Sequence, residues 1–258
     1  MDKSSMRTTQ GLLWALTAIA IAGGSAVQAA PARTDVNIVL VHGALIDGSS
    51  WRGVYDVLTR DGYRVSIVQE PLTGFEEDVA ATRQVLDRQD GPVVLVGNSY
   101  GGQIITVAGE DPKVKALVYV AALQPDIGEV SADVYPPGPS AKEHLMATTD
   151  GFVIVDPTTF AADVGADLPK AQAEFMAHSQ MPVFGGVFKA KLTTAAWHDK
   201  PSYAIIATQD KELDPELAQR MAKRAGSHMT LIKASHFVHV SQPRAVAQVI
   251  ETAARAIR

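Results

Sequence analysis

From residue 36 onward the chain alternates short, nearly continuous apolar runs with longer stretches whose apolar residues recur at helical spacing. The runs are Val36-Asn37-Ile38-Val39-Leu40-Val41, Tyr63-Arg64-Val65-Ser66-Ile67-Val68, Val93-Val94-Leu95-Val96, Val114-Lys115-Ala116-Leu117-Val118-Tyr119-Val120, Ser202-Tyr203-Ala204-Ile205-Ile206-Ala207 and Met229-Thr230-Leu231-Ile232. Most are β-branched and lack strict polar alternation, the pattern of strands buried on both faces. Between them the spacing predicts helices over Trp51 to Arg60, Glu76 to Arg88, a segment starting near Gln103, Asp214 to about Gly226, and Pro243 to Arg258. Ser49 or Ser50 is placed to cap the first, and Asp61-Gly62 ends it. Strands alternating with helices at this spacing imply right-handed βαβ units and a mostly parallel sheet of about six strands, covered by helices on both faces.

The rhythm stops between Ala121 and Lys200. This stretch holds Pro136-Pro137-Gly138-Pro139, one predicted helix from Leu168 to Ser179, and five of the chain's seven Phe: Phe152, Phe160, Phe175, Phe184 and Phe188. Residues 34–122 and 200–258 are therefore expected to form the core, with 123–199 inserted as an apolar, largely helical cap. Aromatic and Met side chains fill small cores more often than they line pockets, so each Phe alone is weak support for a binding wall. As a block, the segment is expected to cover the site and to set substrate size.

The first thirty residues differ again. Lys3 and Arg7 precede an apolar stretch from Leu12 to Ala22, Gly23-Gly24-Ser25 breaks it, and Val27-Gln28-Ala29 presents small residues to a signal peptidase. Residues 1–29 read as a cleaved export signal, giving a periplasmic or secreted protein without stable membrane insertion afterwards. The run is short for a membrane span. The 258 residues, 47% hydrophobic, suffice for one large core, and a net charge of −5 offers no attraction to nucleic acid. With no cysteine, the chain has neither a thiolate metal site nor a Cys nucleophile.

Candidate chemistry centres on Gly97-Asn98-Ser99-Tyr100-Gly101-Gly102, between the Val-rich strand and the helix that follows. A G-x-S-x-G in that place marks a sharp strand-to-helix turn that lifts a Ser hydroxyl clear of the sheet, and its flanking glycines relieve the collisions such a turn creates. A plainer structural reading is a βα turn whose Ser caps the helix. Asp210 and His236, like Ser99, fall just past the C-terminal ends of strands, the edge where sites in open parallel sheets assemble. His239 could share the His236 loop and is the runner-up. His228 precedes its strand, at the wrong edge, and His144, His178 and His198 lie in the insertion. Asp214, followed by Pro215-Glu216, has the pattern of a helix N-cap, which leaves Asp210 as the stronger partner for His236. His and acidic residues show no metal-ligand spacing, so no metal or other cofactor is expected.

Val41-His42-Gly43-Ala44, the Ser99 turn, Tyr119-Val120-Ala121-Ala122, Asp210 and Ala234-Ser235-His236 together resemble the α/β-hydrolase superfamily, over nearly all of the chain after the signal. The likeness is nearest to small bacterial hydrolases related to plant methylesterases and hydroxynitrile lyases. Many bacterial members carry His where this chain has Asn98. The resemblance implies an α/β-hydrolase fold and a Ser99, Asp210, His236 triad in the order that family uses. His236 would take the Ser99 proton, Asp210 would hold the imidazole, and the backbone N–H groups of Ala44 and Tyr100 would receive the oxyanion. His42 is expected to shape its loop. The expected activity is hydrolysis of a small, fairly apolar carboxylic ester, thioester or lactone. A hydroxynitrile lyase-like activity on the same triad is the nearest rival. The family's lyases, however, carry a Lys after the catalytic His and a Thr in the oxyanion loop, where this chain has Phe237 and Gly43. A perhydrolase activity would use the same three residues, and a non-catalytic small-ligand binding protein could be built on the same scaffold.

Overall fold

The computed structural model describes residues 35–135 and 143–257. The expected export signal over residues 1–29 and the Pro136-Pro137-Gly138-Pro139 tract lie outside them. In chain order come β1 (Asn37–Val41), α1 (Arg52–Arg60), β2 (Arg64–Ile67), α2 (Phe75–Asp87), β3 (Val93–Asn98), α3 (Gly101–Ala108) and β4 (Val114–Val120). The insertion follows, with β5 (Leu145–Ala147), β6 (Phe152–Val155), α4 (Lys170–His178), β7 (Val183–Phe184) and several single helical turns. The chain then returns to the core through β8 (Ser202–Ala207), α5 (Pro215–Arg224), β9 (His228–Ile232) and α6 (Pro243–Ala256). The core strands form one six-stranded parallel sheet in the order β2-β1-β3-β4-β8-β9.

Period-2 alternation divides each central strand between two cores. Val39, Val41, Leu95, Leu117, Tyr119 and Ile206 face α2, α3 and α5, whereas Ile38, Leu40, Val94, Val96, Val118 and Ile205 face α1 and α6. Each such buried aliphatic contributes roughly 1.5–3 kcal/mol by leaving water. Burial on both faces leaves no solvent side, which is why the runs carry so little polar alternation.

In the insertion, the helix expected from Leu168 starts after Pro169, which holds extended backbone at its N-cap. β5, β6 and β7 form a small antiparallel sheet that the hydrophobic pattern does not announce, because strands of two to four residues show no period. The root of the insertion is clamped to the core. Arg224, at the end of α5, donates to Glu129, to the Gln124 carbonyl at 2.9 Å and to the Tyr135 hydroxyl at 3.0 Å, and Trp197 Nε1 donates to the Pro125 carbonyl at 2.8 Å. A third apolar cluster joins Val155, Phe160, Val164 and Met176 of the insertion to Ile46 and Phe237 of the core.

Candidate active site

β3 ends in the turn that carries Ser99, whose φ of 51° lies in the left-handed region that side chains other than glycine rarely adopt. A Cβ on Gly97 would come within 2.5 Å of the Gly101 carbonyl oxygen, and one on Gly101 within 2.6 Å of the His42 carbonyl oxygen. The turn can be this tight only with glycine on both sides. Ser99 is half-buried, and its Oγ lies 2.8 Å from His236 Nε2. Nδ1 of the same ring lies 2.7 Å from Asp210 Oδ2. The other Asp210 oxygen accepts from the backbone N–H groups of Glu212 at 2.9 Å and Leu213 at 3.0 Å. A carboxylate so placed takes the Nδ1 proton in a hydrogen bond and leaves Nε2 free to accept from the Ser99 hydroxyl.

His236 and Asp210 are both buried. Burial works against a charged ring, yet the neighbouring Asp210 carboxylate outweighs it and holds the His236 pKa above the ordinary imidazole value. Glu212 lies beside this pair with its carboxyl pushed upward, first by burial. The His236 loop is pinned from the insertion side: the Val164 carbonyl accepts from Phe237 N at 3.3 Å and from Ser235 Oγ at 3.2 Å, and Ser235 also donates to Asp167.

The rival residues fall elsewhere. His239 is fully buried on a single helical turn, its ring 4.5 Å from that of Trp51, with no hydrogen-bond partner on either nitrogen among the described residues. Burial, assisted by the charges of His236 and His42, pushes its pKa down to about 3, so it is neutral throughout the working pH range. Asp214 accepts from Glu216 N at 2.9 Å and caps α5. His228 opens β9 at the opposite edge against Tyr203, and in the insertion His144 pairs with Asp163, His198 pairs with Asp126, and His178 is exposed at the end of α4.

Tyr100 immediately precedes α3, and Ala44 lies three residues past β1, in a loop that touches the turn: a Cβ on Gly43 would be 2.9 Å from that of Ser99. The insertion meets this loop directly, through a bridge between Leu45 and Met181 and an edge-on contact of Phe188 with Tyr100, centroids 5.3 Å apart. Two further acids, which sequence reasoning missed, stand behind it. Glu70 pairs with His42 at 2.7 Å, and Asp78 accepts from the Tyr100 hydroxyl at 2.7 Å. Burial first of all pushes the Asp78 carboxyl up to about 6. A signal for Asp78 existed: it occupies the apolar stripe of α2, three residues after Phe75 and next to Val79. A cavity of about 250 Å³ lies to one side, between α1 and α4, lined by Ile46, Asp47, Arg52, Phe175 and Met176 but not by Ser99. Among the described residues no three His, Asp or Glu side chains are grouped as metal ligands would be.

With this geometry in view, the likenesses to known proteins are specific. The alpha/beta hydrolase family profile matches residues 38–249. A probable hydrolase from Phoma sp. is 30% identical over 172 residues, covering 61% of this chain and 68% of that protein. A carbendazim hydrolyzing esterase from Nocardioides sp. is 33% identical over 107 residues, covering 36% of this chain and 44% of that protein. Among solved structures, a methylesterase from Arabidopsis superposes with a TM-score of 0.71 at 17% identity, over 86% of this chain and 99% of its own. The chain belongs to the alpha/beta hydrolase family and is a carboxylic ester hydrolase-like enzyme.

Proposed function

We propose that the enzyme cleaves small, fairly apolar carboxylic esters, with Ser99 as nucleophile, His236 as general base and then acid, and Asp210 as the group that orients and charges the imidazole. The observation that carries this reading is the unbroken hydrogen-bonded series from Ser99 Oγ through His236 to Asp210, set on a strained turn. As Oγ attacks the ester carbonyl, its proton passes to His236 Nε2 and the carbonyl electrons move onto oxygen, which the N–H groups of Ala44 and Tyr100 receive. Collapse expels the alkoxide, which takes the Nε2 proton and leaves as alcohol. Water, activated by the same nitrogen, then releases the acid from Ser99.

The substrate preference is supported by two kinds of observation. One relative is an esterase by name. Leu45 bridges to Met181, and Phe188 packs edge-on against Tyr100, so apolar side chains of the insertion reach the residues that flank the turn. The test is a panel of p-nitrophenyl acetate through octanoate, extended to thioesters and lactones, with fluorophosphonate labelling read by intact mass. Hydrolysis lost in Ser99→Ala, together with one label per chain on the parent protein and none on the variant, is expected. Labelling elsewhere, or turnover retained without the hydroxyl, would overturn the assignment. Export is proposed from the sequence of residues 1–29, and intact mass of protein recovered outside the cytoplasm should place the mature N-terminus at Ala30.

A further inference from the structure

Behind the two oxyanion peptides lies a buried polar network to which the hydrolytic steps assign no task. His42, Glu70, Asp78, Thr82 and Tyr100 are each at most 1% exposed. Nδ1 of His42 lies 2.8 Å from the Gly43 carbonyl oxygen. A carbonyl only accepts, so Nδ1 carries a proton and donates it. That oxygen and the Ala44 N–H belong to one planar peptide group, so a hydrogen bond drawn to the oxygen orients the plane and polarises the N–H on its far side. Nε2 of His42 is held by Glu70 in two ways: with the ring neutral it accepts from the Glu70 backbone N–H at 3.0 Å, and Glu70 Oε2, 2.7 Å away, is placed to receive a proton that the ring carries when charged. Burial disfavours charge on the His42 ring, but the Glu70 carboxylate reverses the balance and raises its pKa.

The second donor is tethered in parallel. The Tyr100 hydroxyl donates to Asp78 Oδ2 at 2.7 Å, and Asp78 Oδ1 accepts from Leu72 N at 2.8 Å. A side chain fixed at both ends fixes the peptide that carries the Tyr100 N–H. Thr82, one turn along α2 from Asp78, donates its hydroxyl to Glu70 Oε1 at 3.4 Å. Burying two carboxylates is costly, and apolar replacements are often no less stable, so the fold alone gives little reason for them.

We propose that Glu70 and Asp78 are positioning residues of the oxyanion hole, Glu70 acting through His42 on the Gly43–Ala44 peptide and Asp78 acting through the Tyr100 phenol on the Tyr100 N–H. The proposal rests on the assignment of Ser99 as nucleophile. Its probe is a trifluoromethyl ketone, which adds Ser99 and develops an oxyanion, beside the matching secondary alcohol, which cannot. Tyr100→Phe, which removes one oxygen atom, should lower kcat roughly tenfold with KM within about twofold. This is less than the roughly 10²–10³-fold cost of losing an oxyanion donor outright. Inhibition by the ketone should weaken by the same factor as kcat, while alcohol binding stays unchanged. Glu70→Gln should behave alike, and the double variant should approach the product of the two effects, because the tethers serve different donors.

Asp78→Asn supplies an independent reading should either variant fail to fold. A lowered melting temperature with kcat and ketone inhibition retained would overturn the proposal, and so would failure of all three variants to fold, since either result assigns the network to stability. Failure of the underlying nucleophile assignment is seen separately, as parent-level turnover in Ser99→Ala.

Discussion

In the central strands of the six-stranded sheet nearly every position is constrained twice, once by its ladder and once by the core on its own face, and the strand ends hold Ser99, Asp210 and His236 within hydrogen-bonding distance. The insertion between β4 and β8 is built otherwise. Its strands are two to four residues long, its apolar side chains divide between a small cluster and the surface, and it touches the site through a few contacts around Leu45, Tyr100 and Phe237. In the proposed mechanism the sheet supplies the reacting groups, for which a displacement of an ångström costs about 10²-fold in rate. In the proposed function the insertion supplies walls that can differ in detail while the reaction stays the same. A small change at a strand end should therefore affect turnover, whereas one in the insertion should affect stability or preference.

The largest expected effect tests the sheet side. Asp210→Asn should cut kcat by on the order of 10⁴-fold with the fold intact, because the amide no longer enforces the productive His236 tautomer. Asp214→Asn should change kcat by less than about twofold, since Asn caps a helix as well as Asp does. Steady-state kinetics on both variants, with circular dichroism as a control, would contradict the assignment if the two results were exchanged.

Next in size is the insertion's own core. Phe160 is fully buried against Phe237, their ring centroids 5.8 Å apart. Phe160→Ala should cost about 3–5 kcal/mol of unfolding free energy by urea titration. Because Phe237 adjoins His236, some loss of kcat should accompany it. An unchanged urea midpoint would mean that this cluster does not hold the insertion in place.

A third effect separates wall from support. Phe188 is half-buried and meets Tyr100 edge-on, so Phe188→Ala should alter the preference between acetate and octanoate esters by roughly 1–3 kcal/mol in relative kcat/KM. A parent-like chain-length profile would move the substrate wall elsewhere.

The pH dependence is smaller per step and its sign is fixed by His236. In the proposed mechanism the neutral ring is the base, and against the opposing effect of burial its pKa is raised above 6.5 by Asp210. Activity should therefore be present above that raised value and fall about tenfold per pH unit below it. An acid limb centred below 6.5 in kcat/KM would contradict the charge arrangement. The smallest effect belongs to Phe175, which is 70% exposed. Phe175→Ala should change stability by within about 0.5 kcal/mol and leave the ester profile unaltered.

Local chemistry was sufficient for much of this protein. Six strands, the turn at Ser99 and the N-cap at Asp214 are legible in the sequence because each depends on neighbours within a few residues: the β-branched run, the glycines around Ser99, the Asp-Pro-Glu start of α5. The parallel order of the strands then places Ser99, Asp210 and His236 at one edge, so even their convergence followed from pattern and topology. Tertiary structure alone decided the rest. Five Phe in the insertion look alike in sequence, yet Phe160 is enclosed while Phe175 is open to solvent, because burial depends on what the rest of the chain places against them. His239 is set apart from His236 by its packing on Trp51 and by having no hydrogen-bond partner among the described residues, neither of which is a sequence property. Glu70 and Asp78 are ordinary acids as letters. Only the approach of β1, β2, α2 and α3 around the Gly43–Ala44 loop turns them into buried partners of His42 and Tyr100, since a carboxylate's role is set by the donors that surround it in space.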